Sequence, residues 1–397
     1  MYGAPWCPDC KRSKKFLAAQ RVDYRWVDVD QDEAGLRHIE KLQNGGRSIP
    51  TVEFADGTVL VEPSDEDLAR KLGLDLEAAL SFYDVAIVGG GPAGLSAAIY
   101  AAREGMETIV IEKSGLGGQA GITNQIDNYP GFPQGISGGD LADRFEQQAR
   151  RYGVELLSAV GVASIHREGP DVRVDLNSGQ RILAHAVLVV TGSTYRRLGV
   201  PGEDDLIGSS VHFCATCDGP FYKGAEELVV VGGGNSGFEE ALFLTQFAKK
   251  VRIINRGTEP RASKLLQDKI ANSPAIELTN DTEVVELTGA NKLEALTIRN
   301  RTTGAEETLH PEGVFVFVGF DPNSEFLRGT VDVDAAGFVL APKFETSMEG
   351  VFAAGDVREG SHKQLAAAVG EGVGALLIIR AYLRRHEHGA AEADEVA

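Results

Sequence analysis

The same glycine-rich pattern occurs twice, each time between an apolar strand-like run and a helix-like run. The first copy is Gly89-Gly90-Gly91-Pro92-Ala93-Gly94, and the second, 143 positions later, is Gly232-Gly233-Gly234-Asn235-Ser236-Gly237. A strand, a G-x-G-x-x-G turn and a helix bring backbone N–H groups and a helix N-terminus against a pyrophosphate. The register also holds downstream, since Glu112 and Asn255 end the next strand of each copy. The sequence therefore predicts an α/β chain with two Rossmann-like dinucleotide-binding domains. The alternative is a pair of ordinary tight strand–helix turns.

The residue at the end of the strand that follows each glycine-rich turn is expected to contact the ribose of the dinucleotide. In the first copy Glu112 would hydrogen-bond ribose hydroxyls. The second copy has Asn255 followed by Arg256 at this place, and Arg261 adds a further positive charge. A carboxylate would repel a ribose 2′-phosphate, whereas an amide beside a guanidinium would accept one. We therefore expect NADPH rather than NADH at the second copy, unless the two arginines are only solvated surface charges.

The four cysteines form two C-x-x-C pairs and leave none over. In a cytoplasmic chain this pattern indicates redox chemistry or metal binding rather than a structural disulfide framework. The pair Cys214/Cys217 lies just before the second glycine-rich turn, and the adjacent Asp218 could carry the proton that dithiol exchange requires. Zinc needs four ligands, and His212 with two cysteines leaves one missing. We therefore expect no metal.

The other pair, Cys7/Cys10, follows Trp6 and precedes a lysine-rich helix. Pro8 suits the first position of a helix, which would place Cys7 at the helix N-terminus, where the dipole favours a thiolate. Pro50 is a candidate substrate-binding residue, because a cis Ile49–Pro50 bond could face the cysteines and bind an extended substrate backbone. An ordinary trans proline at the start of a strand is the alternative.

Charge and hydropathy exclude several classes of function. The 58 acidic residues exceed the 39 basic ones and give a net charge of −19. Such a chain would repel nucleic-acid backbones and anionic lipid, so we expect neither nucleic acid nor membrane as a partner. No uninterrupted apolar run in the sequence suggests a membrane-spanning helix. The N-terminus lacks a secretory signal pattern, so a cytoplasmic location is expected.

A short apolar strand near the C-terminus ends in Gly355-Asp356. Asp356 at that position could hydrogen-bond the ribityl chain of a flavin. A helix-capping or turn aspartate is the alternative. Two dinucleotide folds in one chain imply two dinucleotides, and a nicotinamide and a flavin together make a path for hydride.

Residues 83–388 resemble the low-molecular-weight thioredoxin reductases along essentially their whole length. The matching stretches, in the family's order, are GGGPAG at 89–94, Gly117-Gly118-Gln119, Asn128-Tyr129-Pro130-Gly131, CATCDG at 214–219, GGGNSG at 232–237, and AAGDV at 353–357 with Lys363-Gln364. The resemblance implies an FAD-binding domain in two sequence segments, an NADPH-binding domain between them that carries the CATC pair, and a homodimer.

The resemblance also implies roles for individual residues. In the family the second cysteine, here Cys217, lies against the flavin, the first, Cys214, attacks the protein disulfide, and Asp218 acts as acid and base. A large rotation of the NADPH-binding domain presents the cysteines and the nicotinamide to the flavin in turn. The residues implied for FAD are Gly89, Gly91, Pro92, Ala93, Gly94, Glu112, Gly118, Gln119, Asn128, Gly355, Asp356, Lys363 and Gln364. Those implied for NADPH are Gly232, Gly234, Asn235, Ser236, Gly237, Asn255, Arg256 and Arg261.

The chain departs from the reductase pattern in the second copy. The family has His-Arg-Arg-x-x-x-Arg at the 2′-phosphate site, whereas this sequence has Asn255-Arg256-Gly257 with Arg261 in place. Loss of the middle arginine leaves NADH possible. Gly237 also stands where alanine is usual, which is a small change.

Residues 1–72 resemble a glutaredoxin-type thioredoxin fold, closest to the mycoredoxin branch. The resemblance is carried by WCPDC at 6–10, IPT at 49–51 and the DGT turn at 56–58. It implies that Trp6 and Pro50 contact the substrate. Glutaredoxins usually have Gly-Gly where this chain has Glu62-Pro63, which leaves glutathione binding open.

The domain organisation expected is a thioredoxin-like domain at 1–75, an FAD-binding domain at 83–196 and 320–388, an NADPH-binding domain at 197–319, and a disordered tail at 389–397. Electrons would pass from NADPH to FAD, to Cys214/Cys217, to Cys7/Cys10 and then to an external protein or low-molecular-weight disulfide. In a second hypothesis the N-terminal domain only docks and Cys214 serves a separate thioredoxin. In a third the acceptor is a peroxiredoxin, as for the flavoprotein component of alkyl hydroperoxide reductase.

Overall fold

A computed structural model describes residues 1–121, 123, 126–290 and 292–394, with side chains described up to residue 385. The chain divides into two compact units. The first comprises Met1–Gln125, Tyr129–Gly192 and Pro322–Ala397, and the second comprises Ser193–Asp321 with Ile126–Asn128. The second unit begins and ends within a few residues of the expected 197–319 segment. The N-terminal domain does not separate from the first unit, in which Gln20 and Arg21 hydrogen-bond the carbonyls of Ser114 and Leu116.

The N-terminal residues form a four-stranded mixed sheet with three helices. The strands lie in the order β2-β1-β3-β4, with β1 parallel to β2 and antiparallel to β3. Phe16, Leu17, Val52 and Leu68 are buried in its core. This is the thioredoxin-like arrangement that the sequence predicts. The elements are β1 (Tyr2–Gly3), α1 (Pro8–Ala19), β2 (Val27–Asp28), α2 (Glu33–Leu42), β3 (Thr51–Glu53), β4 (Val59–Val61) and α3 (Asp65–Lys71).

The segment that joins this domain to the next sheet is held by hydrogen bonds. The backbone N–H of Ala78 donates to Gln180 Oε1 at 2.8 Å, and Gln180 Nε2 donates to the carbonyl of Ala78 at 2.9 Å. The next amide, at Ala79, donates to Glu155 Oε1 at 2.7 Å. The phenol of Tyr83 also bonds Glu155 at 2.6 Å. The connection is therefore hydrogen-bonded to the sheet domain at Ala78 and Ala79.

The second sheet has seven strands, in the order β7-β6-β5-β10-β9-β8, with a late strand β21 on β10. Val85 and Ile87 of β5 face one hydrophobic core, and Ala86 and Val88 face the other. Both faces of this strand are covered, which explains its continuous apolar run. The elements are β5 (Phe82–Val88), α4 (Pro92–Arg103), β6 (Thr108–Glu112), α5 (Gly118–Gly121), α6 (Gly138–Arg151), β7 (Glu155–Ser158), β8 (Val162–Glu168), β9 (Asp171–Leu176) and β10 (Arg181–Val189).

The second unit contains a five-stranded parallel sheet in the order β12-β19-β13-β14-β15, a three-stranded antiparallel sheet β16-β17-β18, and the pair β11-β20. The glycine-rich turn again joins the central strand to a helix. The elements are β11 (Ser193–Tyr195), α7 (Glu203–Leu206), β12 (Val211–His212), α8 (Ala215–Asp218), β13 (Ala225–Val231), α9 (Asn235–Leu244), β14 (Ala248–Ile254), α10 (Lys264–Ala271), β15 (Ile276–Thr279), β16 (Thr282–Thr288), β17 (Ala295–Asn300), β18 (Glu306–Leu309), β19 (Gly313–Val316) and β20 (Phe320–Pro322).

The chain then returns to the first unit with β21 (Val351–Ala353) and the long helix α11 (Leu365–Asp394). By length and composition alone, the helix Leu365–Arg385 could cross a membrane, although no uninterrupted apolar run in the sequence predicts one. Its residues Leu376 and Ile379 lie in the hydrophobic core beside α4, as in the core helix of a globular fold. The helix α11 extends through residues 389–394 of the segment for which the sequence predicts a disordered tail, and their alanine and glutamate residues favour helix. Residues 395–397 lie outside the described part.

Candidate active site

The first glycine-rich turn is shaped for a dinucleotide. The backbone N–H of Gly90 donates to Glu112 Oε2 at 2.8 Å, and the other carboxylate oxygen accepts from Ser114. A Cβ on Gly94 would clash with the carbonyl of Gly89, so the helix packs closely on the strand. A Cβ on Gly91 would meet only Gly118, at 4.0 Å. The position in front of Gly91 is therefore open, and the residues of this turn fit the pyrophosphate of FAD.

The second turn has the same construction. A Cβ on Gly237 would clash with the carbonyl of Gly232, while no atom lies within 4 Å of one on Gly234. Asn235 Oδ1 accepts from the N–H of Ser263 at 2.8 Å, which ties the helix start to the following loop. Ser236 follows in the first turn of α9. This open cradle fits the pyrophosphate of a nicotinamide dinucleotide.

Asn255 is buried and its amide is committed to other protein groups. Its Nδ2 donates to Asn280 Oδ1 at 2.8 Å and to the carbonyl of Gly257 at 3.0 Å. Sequence reasoning missed Asn280, which lies at the end of the neighbouring strand β15. Arg261 is anchored through its backbone N–H, which donates to the carbonyl of Gly233 at 2.8 Å. The guanidiniums of Arg256 and Arg261 stay the predicted contacts for a 2′-phosphate.

The C-terminal part of the predicted FAD site surrounds Asp356. Burial raises the pKa of the Asp356 carboxyl, and Ser361 Oγ lies 3.4 Å from its Oδ1. Lys363 Nζ donates to the carbonyl of Asp356 at 2.7 Å, and burial lowers the pKa of this lysine. The backbone N–H of Gly355 donates to Glu371 Oε2 at 2.8 Å. Glu371, in the second turn of α11, positions Gly355, and the sequence did not reveal it.

The remaining predicted FAD residues are Gly118, Gln119, Gln364 and Asn128. Gly118 and Gln119 begin α5, where the carbonyl of Gln119 accepts from Thr123 Oγ1 at 3.0 Å. Gln364 immediately precedes α11. Asn128 packs with the second unit, whereas the other predicted FAD residues belong to the first unit.

The Cys214/Cys217 pair forms a disulfide, with the two Cα atoms 5.3 Å apart. Cys214 is the N-cap of α8, and its Sγ accepts from the backbone N–H of Cys217 at 3.2 Å. Cys217 lies one helical turn after the N-cap Cys214. The C-x-x-C spacing therefore brings both sulfurs to the same end of the helix. Asp218, which follows Cys217 directly, is the nearest carboxylate along the chain.

Asp218 contacts His212, which the sequence analysis considered only as a zinc ligand. His212 Nδ1 lies 3.4 Å from Asp218 Oδ2, and His212 Nε2 lies 2.7 Å from the hydroxyl of Tyr222. The imidazole is buried and packs against Tyr222 and Phe315. Burial raises the pKa of Tyr222 to about 12, helped by the charges of Asp218 and Glu312. Sequence reasoning missed Tyr222, because nothing in its spacing marks it.

The Cys7/Cys10 pair repeats this geometry in the N-terminal domain. Cys7 is the N-cap of α1, Pro8 occupies the first helical turn as predicted, and Cys7 Sγ accepts from the N–H of Cys10 at 3.1 Å. Both cysteines are free thiols. Burial and the hydrogen bond with Cys7 raise the pKa of Cys10 to about 12. Gly3 is required beside it, because a Cβ there would press on Cys10 Sγ.

The two predicted substrate-contact residues flank this pair. The Ile49–Pro50 bond is cis, and the carbonyl of Ile49 lies 3.8 Å from Cys7 Sγ. Trp6 is the most exposed large apolar residue of the described chain, at 68 %, and its Nε1 donates to Asp30 Oδ2 at 2.6 Å. An exposed indole and an extended backbone segment beside a cysteine offer a docking surface for a polypeptide.

Comparison with known proteins identifies the family of this chain. Residues 83–372 match the family model described as pyridine nucleotide-disulphide oxidoreductase, and residues 1–60 match the glutaredoxin model. The chain belongs to the pyridine nucleotide-disulphide oxidoreductase family. It is a thioredoxin reductase-type NAD(P)H:disulfide oxidoreductase with an N-terminal glutaredoxin domain.

Several of the similar relatives and solved structures are named as thioredoxin reductases. Over 303 residues the chain is 42% identical to the thioredoxin reductase of Streptomyces clavuligerus, covering 76% of this chain and 94% of that one. It is 40% identical over 317 residues to the "Bifunctional thioredoxin reductase/thioredoxin" of Mycobacterium leprae, covering 79% and 68%. The thioredoxin reductase of Streptococcus pyogenes superposes with a TM-score of 0.72 at 37% identity, over 77% of this chain and 99% of that one. This family is FAD- and NADPH-dependent.

Proposed function

We propose that this chain is a self-contained disulfide reductase in which Cys214/Cys217 reduce Cys7/Cys10 of the fused domain, which then reduces an external disulfide. The observation that carries this proposal is the matched construction of the two pairs. In each, the first cysteine caps a helix and accepts the N–H of the second, at 3.1 Å in one pair and 3.2 Å in the other. A fused second pair raises the effective concentration of acceptor into the millimolar range, about the value for a short tether.

In the proposed site FAD would be held by the first glycine-rich turn, Glu112 and Asp356, and NADPH by the second turn with Arg256 and Arg261. FAD, when bound, passes the two electrons that NADPH supplies to the Cys214–Cys217 disulfide. NADH remains an alternative donor because Gly257 replaces an arginine of the family motif.

The chain's own residues carry out the thiol chemistry. The two electrons cleave the Cys214–Cys217 bond and leave two thiolates. Asp218 would relay a proton from solvent to one of them, which leaves one thiol and one thiolate. The thiolate of Cys214 attacks the oxidised Cys7–Cys10 disulfide and forms a mixed disulfide. Cys217 then displaces it, restoring the Cys214–Cys217 bond and releasing a dithiol. Cys7 next attacks the external disulfide, and Cys10 resolves the resulting mixed disulfide because burial keeps it from competing as the first nucleophile.

The external acceptor proposed is a protein disulfide. Trp6 and the segment before Pro50 support this, since they offer an apolar face and backbone groups rather than a small-molecule pocket. The M. leprae relative unites reductase and thioredoxin in its name, which supports a fused acceptor domain here. Peroxiredoxin and low-molecular-weight disulfides remain candidate substrates for the same pair.

A second function has one observation in its favour. Gln20 and Arg21 of the N-terminal domain bond the backbone of the FAD-binding domain, so this domain is held in place. A held domain could serve as a docking module while Cys214 reduces a separate thioredoxin. Activity with added thioredoxin that survives Cys7→Ser would support this second function.

A homodimer and a cytoplasmic location complete the proposal. Tyr100 of α4 and Leu377 of α11 are exposed, at 40% and 42%, on two helices that pack together, and a second subunit would cover them. A reducing compartment keeps cysteines such as Cys7 and Cys10 as thiols. Analytical ultracentrifugation tests the dimer.

The experiment for the relay is an anaerobic NADPH titration of the oxidised protein, read by flavin absorbance and thiol count. One flavin and two cysteine pairs each accept two electrons, so uptake of about three equivalents with all cysteines reduced is expected. The Cys7→Ser/Cys10→Ser variant is the matched control and should take up about two equivalents. If the unmodified protein also stops near that value with Cys7 and Cys10 oxidised, the relay is wrong.

A further inference from the structure

The N-terminal domain hydrogen-bonds and packs closely against one loop of the FAD-binding domain. Gln20 Nε2 donates to the carbonyl of Ser114 at 2.8 Å, and Arg21 Nη1 donates to the carbonyl of Leu116 at 2.5 Å. Between them, a Cβ on Gly115 would overlap the carbonyl oxygen of Ala19, the last residue of α1. The two backbones therefore meet with no room for a side chain. We call residues 113–117 the clamped loop.

Arg21 is fixed by more than the loop. Its Nη2 lies 2.7 Å from Asp143 Oδ1 and 3.1 Å from Glu146 Oε2 on α6. Its backbone has a φ of 52°, in the left-handed region, at the turn that ends α1. A charged group shared between a carbonyl and two carboxylates makes stronger hydrogen bonds than a neutral one. Arg21 therefore forms a specific interface between the N-terminal domain and the FAD-binding domain.

The clamped loop is part of the dinucleotide site. It starts directly after Glu112, whose carboxylate bonds the N–H and hydroxyl of Ser114 on one side and the N–H of Gly90 on the other. The side chain of Leu116 is buried against Gly90. The loop ends at Gly117, whose N–H donates to the carbonyl of Gly90 at 2.8 Å. Each of these bonds fixes the first glycine-rich turn.

We propose that the N-terminal domain acts as a brace for the FAD site, so that loss of its contact with the clamped loop loosens the bound flavin. The proposal rests on the proposed function only in that this unit binds FAD. It needs no electron transfer to Cys7. It also gives the N-terminal domain a role that its redox chemistry does not supply.

The test is the rate at which full-length protein releases FAD on dilution, followed by the rise of flavin fluorescence. Gly115→Ala inserts a methyl group into the contact, and Arg21→Ala removes its charged donor. Both should release FAD about threefold faster or more, since a hydrogen bond to a charged group is lost or strained. The controls are Gly370→Ala, a helical glycine of the same unit with open space around it, and Arg25→Ala, an exposed arginine of the same domain.

Hydrogen exchange at the amide of Gly117 gives a second measurement on the same variants. It should accelerate in Gly115→Ala and Arg21→Ala and stay unchanged in both controls, while circular dichroism verifies that each variant is folded. If release of FAD and exchange at Gly117 match the parent in both variants, the brace is wrong and the proposed function stands. If the parent retains no FAD, the proposed function itself fails.

Discussion

His212 Nδ1 lies 3.4 Å from Asp218 Oδ2, directly beside the Cys214–Cys217 disulfide. The histidine is fixed on its other side by the hydroxyl of Tyr222 at 2.7 Å. A carboxylate that follows a redox cysteine is useful only if it points at the sulfur that needs a proton. His212, itself bonded to Tyr222, contacts Asp218 from the strand before the disulfide, and we expect this contact to orient the carboxylate.

Replacing His212 should therefore slow the thiol chemistry without affecting the delivery of electrons. We expect His212→Ala to lower the rate at which the reduced enzyme is reoxidised by a disulfide about tenfold, because a positioned proton donor contributes a factor of this order or more. NADPH-dependent reduction of the flavin should be unchanged. Stopped-flow absorbance separates the two steps, and His310→Ala, an exposed histidine of the same unit, is the control. Equal reoxidation rates in parent and His212→Ala would show that Asp218 needs no such support.

The two cysteines of the N-terminal domain should differ sharply towards alkylating reagents. Burial and the bond to Cys7 raise the pKa of Cys10 to about 12, so its thiol stays protonated through pH 9 and only the thiolate reacts. Iodoacetamide at pH 8 should label Cys7 and leave Cys10 unlabelled in the reduced protein. Peptide mass spectrometry measures both sites. Labelling of Cys10 in the Cys7→Ser variant at the same rate as Cys7 in the parent would contradict this assignment.

The arginines after β14 should determine whether the protein prefers NADPH or NADH. Arg256→Ala and Arg261→Ala each remove a positive charge from the proposed 2′-phosphate position, so we expect KM for NADPH to rise about tenfold, the loss of one charged hydrogen bond. KM for NADH should not change. Lys269→Ala, which removes an exposed positive charge on α10, is the matched control. A proportional rise for both coenzymes would mean that the arginines do not contact the phosphate.

The bond between Tyr83 and Glu155 should contribute to the stability of the first unit. Tyr83 is buried, its hydroxyl donates to Glu155 Oε2 at 2.6 Å and it accepts the N–H of Leu80 at 3.0 Å. Tyr83→Phe leaves both partners without this hydroxyl, so the free energy of unfolding should fall by about 1–3 kcal/mol. Tyr100→Phe, at an exposed position, should change it little. Urea denaturation followed by circular dichroism measures both variants.

The parts of the site that the sequence predicted are those built from neighbouring residues. A glycine-rich turn, a C-x-x-C helix cap and a proline in the first turn are local geometries, and each predicted element of this kind occurs in the structure. The link from His212 to Tyr222 and the bond from Asn255 to Asn280 were missed, because their partners belong to other elements. The contact between Arg21 and Leu116 joins two domains that the sequence treats as separate, and no local pattern marks it.

The late strand β21 carries a consequence for synthesis. It pairs with β10 from Val187 to Val189, yet more than a hundred residues of the second unit leave the ribosome between them. The second unit is therefore complete while the sheet of the first still lacks a strand and the helix α11 that covers it. Since domains fold as units during translation, the inserted unit should fold first. The sheet of the first unit therefore keeps an unpaired edge until the last fifth of the chain emerges, and unpaired strand edges are prone to aggregation.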